Sequence, residues 1–109
     1  MRIVDCDDEP LARGRLVRIV KESGHEVVAQ AKTGIEAIIA VKSEQPDIIL
    51  LDIRMPEMDG VECAQELATL NHPPAIIFVT AYDHYAIAAL KANAIGYLLK
   101  PANKDELLE

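Results

Sequence analysis

Asp52 closes an apolar run, Ile48-Ile49-Leu50-Leu51, and is followed at once by Ile53-Arg54-Met55-Pro56-Glu57-Met58-Asp59-Gly60. Such a run reads as a strand buried in a parallel sheet. A carboxylate at its C-terminal end, ahead of a Pro/Gly loop, points into the crevice where α/β proteins do chemistry. Two further segments end strands in the same way: Asp7-Asp8-Glu9-Pro10 follows the first apolar stretch, and Tyr97-Leu98-Leu99-Lys100-Pro101 closes the last. Three acids and one lysine at strand ends describe a magnesium and phosphoryl site.

Mg²⁺ prefers hard oxygen ligands in near-octahedral geometry and takes one or two carboxylates plus a substrate phosphate. Asp7, Asp8 and Asp52 supply that set. Carboxylates brought together repel, so the cluster implies a cation. With the cation in place, the Asp52 carboxylate can act as a nucleophile toward a phosphoryl group. Lys100 offers a compact ammonium on a flexible stem, a point charge suited to phosphate oxygens. The X-Pro bond that follows it can be cis at modest cost, which would aim Lys100 back into the crevice. Thr80, ending the fourth strand, can donate a hydroxyl hydrogen bond to a phosphoryl oxygen; a threonine there is also an ordinary turn residue.

The elements that must position these groups alternate strand and helix five times, the pattern of a parallel sheet with helices on both faces. Strand one is Arg2 to Cys6. Pro10 opens a helix that carries Leu11, Leu16, Ile19 and Val20 toward the core and ends at Gly24. Strand two is Glu26 to Ala31, and Thr33-Gly34-Ile35-Glu36 is a capping box for a helix running through Ile38, Ile39 and Val41. Strand three ends at Asp52, with a helix from about Gly60 through Leu67 to Leu70. Strand four, Ala75 to Val79, starts after Pro74, which cannot donate to a ladder. Asp83 can cap a fourth helix from His84 to about Ala92, before strand five around Ile95 to Leu99. Asn103 to Glu109 reads as the start of a fifth helix, cut short.

At 109 residues, half of them apolar, the chain is one domain able to bury a core unaided. No apolar stretch approaches the roughly 18 residues of a transmembrane helix, and Met1-Arg2-Ile3 enters a strand without a signal-peptide pattern, so a cytoplasmic location with no membrane partner is expected. Cys6 and Cys63 lack C-x-x-C spacing and read as small core or near-surface residues with reduced thiols. A formal charge of −7 argues against nucleic-acid binding by these residues alone. His25, His72 and His84 fall on loops or helix starts and are poor candidates for metal binding or phosphorelay.

With Asp-Asp-Glu-Pro, Leu-Leu-Asp-Ile-Arg-Met-Pro-Glu-Met-Asp-Gly, Val-Thr-Ala and Tyr-Leu-Leu-Lys-Pro in order, the chain resembles the receiver domain of bacterial two-component response regulators over nearly its whole length. The resemblance implies a flavodoxin-like (CheY-like) doubly wound α/β fold, five parallel strands in order 2-1-3-4-5. It implies a signalling switch rather than an enzyme, with Asp52 as phosphoacceptor from a histidine kinase or a small phosphodonor and slow loss of the phosphoryl group. Asp8 and the backbone carbonyl of Arg54 would be direct Mg²⁺ ligands, Asp7 a water-mediated one, and Lys100 the phosphate-pairing lysine. Thr80 matches the switch hydroxyl and Tyr97 the aromatic that turns inward when Thr80 moves. The stretches from Asp8 to Arg13 and from Thr80 to Ala86 look like receivers joined to LytTR-type DNA-binding domains, so DNA would be reached only through an effector lying outside these residues. The fourth helix and fifth strand, with few charges, are expected to form the output face and a receiver homodimer.

Asp5 departs from the family pattern, which has an apolar residue there. Either Asp5 is a tolerated acid that pairs with a neighbour or reaches water, or the register slips and Asp5 replaces Asp7 or Asp8; the turn Asp8-Glu9-Pro10-Leu11 favours the first. Two rival functions are a Mg²⁺-dependent phosphohydrolase with an aspartyl-phosphate intermediate and a passive flavin-binding module. The first generally needs an acid two residues beyond the nucleophile, where Arg54 stands. The second needs a phosphate loop after strand one, where acids stand instead.

Overall fold

Five parallel strands pair in the order β2-β1-β3-β4-β5: β1 Arg2–Cys6, β2 Glu26–Ala31, β3 Ile48–Leu51, β4 Ala75–Thr80 and β5 Gly96–Leu99. The structure is a computed structural model that describes residues 1–82 and 86–101. Between the strands lie α1 Pro10–Glu22, α2 Gly34–Glu44, α3 Gly60–Leu67 and α4 Ala86–Lys91. The flavodoxin-like order expected from the sequence is therefore present. Asp83 and His84, read as the start of the fourth helix, and the fifth-helix segment from Asn103 lie outside the described residues.

The run Ile48 to Leu51 is buried at every position because helices cover both faces of the sheet. On one face Val4, Ile49, Leu51 and Phe78 pack with Ala37 and Val41 of α2, Cys63 and Leu67 of α3, and Ala89 of α4. On the other, Ile3, Leu50 and Val79 meet Leu16 and Val20 of α1. Leu11, expected to face the core, is 83% exposed. At about 100° per residue it sits roughly 130° around the helix from the middle of the stripe formed by Leu16, Ile19 and Val20.

Helix starts follow local chemistry. Thr33 accepts from the backbone N–H of Glu36, as a cap should, but the Glu36 carboxylate reaches past the cap to the N–H of Lys32, so the box expected there is half made. A complete capping box stands at α3, where Asp59 accepts from Glu62 N and Glu62 accepts from Asp59 N. The Asp-x-x-Glu spacing carries that signal in the sequence. Among the described residues no helix is long and apolar enough to cross a membrane.

Candidate functional site

The chain enters the sheet at β1, winds outward to β2, then crosses back to β3 on the other side of β1. The carboxyl ends of β1 and β3 therefore flank the point where the winding reverses, the place where such sheets open a ligand crevice. Cys6 pairs with Leu51, so the next residues, Asp7 and Asp52, emerge side by side. Backbone bonds carry the ladder one step past each strand end: Asp7 N donates to Ala31 O, Asp52 N to Cys6 O at 3.0 Å, and Lys100 N to Thr80 O at 2.8 Å. These bonds hold the functional side chains on rigid backbone.

Oxygen atoms of Asp7, Asp8 and Asp52 lie within 4.8 Å of one another. Asp7 and Asp52 are buried and Asp8 is exposed at the mouth. Lys100 Nζ is 2.8 Å from Asp7 Oδ2 and 3.2 Å from Asp52 Oδ2. The contact with Asp52 is a directed hydrogen bond. The contact with Asp7 is the shorter of the two and pairs the ammonium with a buried carboxylate. Asp7 Oδ1 accepts from Glu9 N at 2.9 Å, which turns the chain into α1. The Lys100–Pro101 peptide is cis.

Burial raises the Asp52 carboxyl above its ordinary value; Lys100 opposes this and the Asp7 charge adds to it. Burial lowers the Lys100 ammonium, but Asp7 and Asp52 outweigh it and the net shift is upward, so the lysine stays charged. Three hard carboxylates within 4.8 Å suit Mg²⁺, whose octahedral shell at about 2.1 Å places ligand oxygens roughly 3 to 4 Å apart.

Thr80 is buried at the end of β4, its Oγ1 accepting from Tyr82 N at 3.4 Å. Tyr97 on β5 is half-buried and its hydroxyl donates to the Tyr82 carbonyl. The Arg54 guanidinium stacks over the Tyr82 ring, 4.9 Å from its centroid. The residues two beyond Asp52 and two beyond Thr80 thus meet across the mouth. Arg13, which the sequence does not flag, donates from Nη1 to the Asp7 carbonyl at 2.8 Å, and only the return of α1 over the sheet brings it there.

Asp5 does not join the cluster. It is fully buried in β1 and, among the described residues, neither carboxylate oxygen has a hydrogen-bond partner, so the expectation that it pairs with a neighbour or reaches solvent is not met. Desolvation, with a smaller push from Asp7, raises its carboxyl to about 8. The register has not slipped, since Asp7 and Asp8 stand beside Asp52. Cys6 and Cys63 are both free and buried.

A family model described as Response regulator receiver domain matches residues 3–109. The chain is 46% identical over 111 residues to the Positive alginate biosynthesis regulatory protein of Pseudomonas aeruginosa, spanning 100% of this chain and 45% of that one. To the transcriptional regulatory protein LytR of Staphylococcus aureus it is 40% identical over 108 residues, spanning 98% of this chain and 44% of that one. It spans about half the length of the curated relatives it matches. A chain of the CheX-CheY-BeF3-Mg+2 complex from Borrelia burgdorferi superposes with a TM-score of 0.91 at 26% identity, over 99% of this chain and 84% of that chain.

Proposed function

This chain belongs to the response regulator receiver domain family, and from that premise we propose that Asp52 is the phosphoacceptor of a two-component signalling switch. The observation that carries the reading is the convergence of Asp7, Asp8, Asp52 and Lys100 at the carboxyl ends of β1, β3 and β5. A carboxylate oxygen of Asp52 takes the phosphoryl group from a histidine kinase or a small phosphodonor. Asp7, Asp8 and Asp52, with the Arg54 backbone carbonyl, would hold Mg²⁺, which when bound neutralises charge on the transferring group. Lys100, already between Asp7 and Asp52, supplies a second positive charge and keeps it because both carboxylates raise its pKa. The presence of BeF3 and Mg+2 in the Borrelia complex supports this reading.

Output follows from Thr80 and Tyr97. The Thr80 hydroxyl turns toward the phosphoryl oxygens, and Tyr97, now tied to the Tyr82 carbonyl, changes its seat with it. The edge strand β5 and its approach carry exposed Ile95 and Leu99, which support a receiver homodimer through the fourth-helix and fifth-strand face. The likeness to LytR supports a cytoplasmic regulator of the LytTR-type subclass, acting on DNA through an effector domain. Arg54, stacked on Tyr82 where a phosphohydrolase would need an acid, gives the hydrolase reading no support.

Incubation with Mg²⁺ and acetyl phosphate or phosphoramidate tests the assignment. One acid-stable, base-labile phosphoryl group per chain is expected by intact mass, and none in Asp52→Asn. Rapid multiple turnover on organic phosphates would instead identify a hydrolase.

A further inference from the structure

All the sulfur of this chain outside Met1 meets in one place. The sequence holds two cysteines and three methionines, and Cys6, Met55, Met58 and Cys63 converge under the N-terminus of α2. Cys6 Sγ lies 3.6 Å from Met55 Sδ and 3.5 Å from the Thr33 carbonyl oxygen. Cys63 Sγ is 3.6 Å from the carbonyl oxygen of the next residue, Gly34. Met58 packs on that same glycine, where a β-carbon would lie 2.9 Å from its Sδ. Cys6, Cys63 and Met55 are buried and Met58 is partly so. Three separate segments supply these atoms, and their spacing forms no sequence motif.

We propose that this cluster binds a soft monovalent d10 cation of the copper(I) class, held by the Cys6 thiolate and the Met55 thioether, with Cys63 and Met58 packed beside them. Thiolate and thioether donors together select such ions, whereas Zn²⁺ takes thiolate, imidazole and carboxylate. Two sulfurs bound at about 2.3 Å to one ion at a tetrahedral angle stand about 3.8 Å apart, and Cys6 and Met55 stand at 3.6 Å. The exchange balances in charge. The Cys6 S–H bond breaks, its proton leaves to solvent, and the sulfur lone pair binds the cation; one unit positive charge replaces another and no electron moves. A divalent ion at the same ligands would leave net charge among apolar side chains, which is costly.

The site is distinct from the acid cluster, though the two share a backbone. Side chains alternate along β1, so Cys6 faces α2 and α3 while Asp7 faces the other way. Met55 follows Arg54 in the loop after β3.

Anaerobic titration of the whole chain with Cu(I) against a chromogenic Cu(I) chelator decides the matter. One equivalent withheld from the chelator is expected, with a sulfur-to-metal ultraviolet band. Cys6→Ser and Met55→Leu should each weaken binding roughly tenfold or more, and Cys6→Ser should remove the band. Met55→Leu conserves volume and keeps the test valid if Cys6→Ser fails to fold. The proposal is overturned if the chelator takes all the copper or if Met55→Leu binds as tightly as the parent. It is equally overturned if His25→Ala, not Cys6→Ser, abolishes binding, which would place the ion at the amino terminus, where Met1 N lies 2.8 Å from His25 Nδ1.

Discussion

A β-carbon on Gly60 would lie 2.2 Å from the carbonyl oxygen of Asp52. It would also stand 2.8 Å from Cα of Ile53, and neither atom belongs to a flexible side chain. The first residue of α3 is thus pressed on the backbone that presents Asp52, an approach sealed by the Gly60 N–H bond to the Ile53 carbonyl at 2.8 Å. Gly60→Ala should lower stability by about 2 kcal/mol or more, because the site-bearing loop must move. Gly14, within α1, has nothing within 4 Å of an added β-carbon. Gly14→Ala should therefore stabilise by about 0.5–1 kcal/mol. Urea denaturation of both variants checks the pair; equal effects would refute the packing argument.

Asp5 should make stability fall with rising pH. Its folded carboxyl titrates near 8 against 3.8 for the ordinary group. Between those values the folded state holds a proton that the unfolded state has released, so stability drops across that window and levels above it. The full effect is on the order of 5 kcal/mol as an upper bound. Asp52, also raised by burial, adds in the same direction. Asp5→Ile should flatten most of the fall between pH 5 and 8.5 in chelator, whatever its packing, and should raise the melting temperature at pH 8. A lower melting temperature at neutral pH with the slope intact would show that Asp5 is not the group responsible.

Mg²⁺ at millimolar concentration should raise the melting temperature, since an ion held by the folded acid cluster stabilises it by mass action, about 1 kcal/mol when the ion is several-fold above its dissociation constant. Asp8 separates binding from folding because it is exposed while its partners are buried. Asp8→Asn should melt near the parent temperature without Mg²⁺ and lose most of the Mg²⁺-induced rise. An undiminished rise would remove Asp8 from the ligand set.

Lys100 should matter to folding as well as to the site. Its ammonium bridges Asp7 and Asp52, both buried. Lys100→Met leaves two carboxylates uncompensated and should destabilise by about 2–4 kcal/mol at pH 7. Combining it with Asp52→Asn should recover part of that loss, because one repelling charge is gone. Thermal melts of the two single variants and the double variant read the coupling directly; strict additivity would mean that the pair contributes nothing.

The fold was largely written in local pattern. An apolar run such as Ile48 to Leu51, and punctuation by Pro10, Gly24 and Pro74, depend only on near neighbours in the chain, so element order and the strand-end positions of Asp7, Asp52, Thr80 and Lys100 could be read directly. The exceptions are where two local signals compete. Leu11 is apolar yet off the helical stripe, and Glu36 had two backbone N–H groups within reach and took the farther one.

What the sequence by itself determined is which groups stand at strand ends. Only tertiary structure decided which of them touch. Parallel pairing of β1 with β3 sets Asp7 beside Asp52, and the turn after β5 returns Lys100 across both. The same packing leaves Asp5 without a hydrogen-bond partner among the described residues, two residues before Asp7 on the same strand face, and gathers Cys6, Met55, Met58 and Cys63 from segments whose spacing signals nothing. The physical reason is range: periodicity and capping act over a few residues, while desolvation and charge pairing depend on which distant segments the sheet brings into contact.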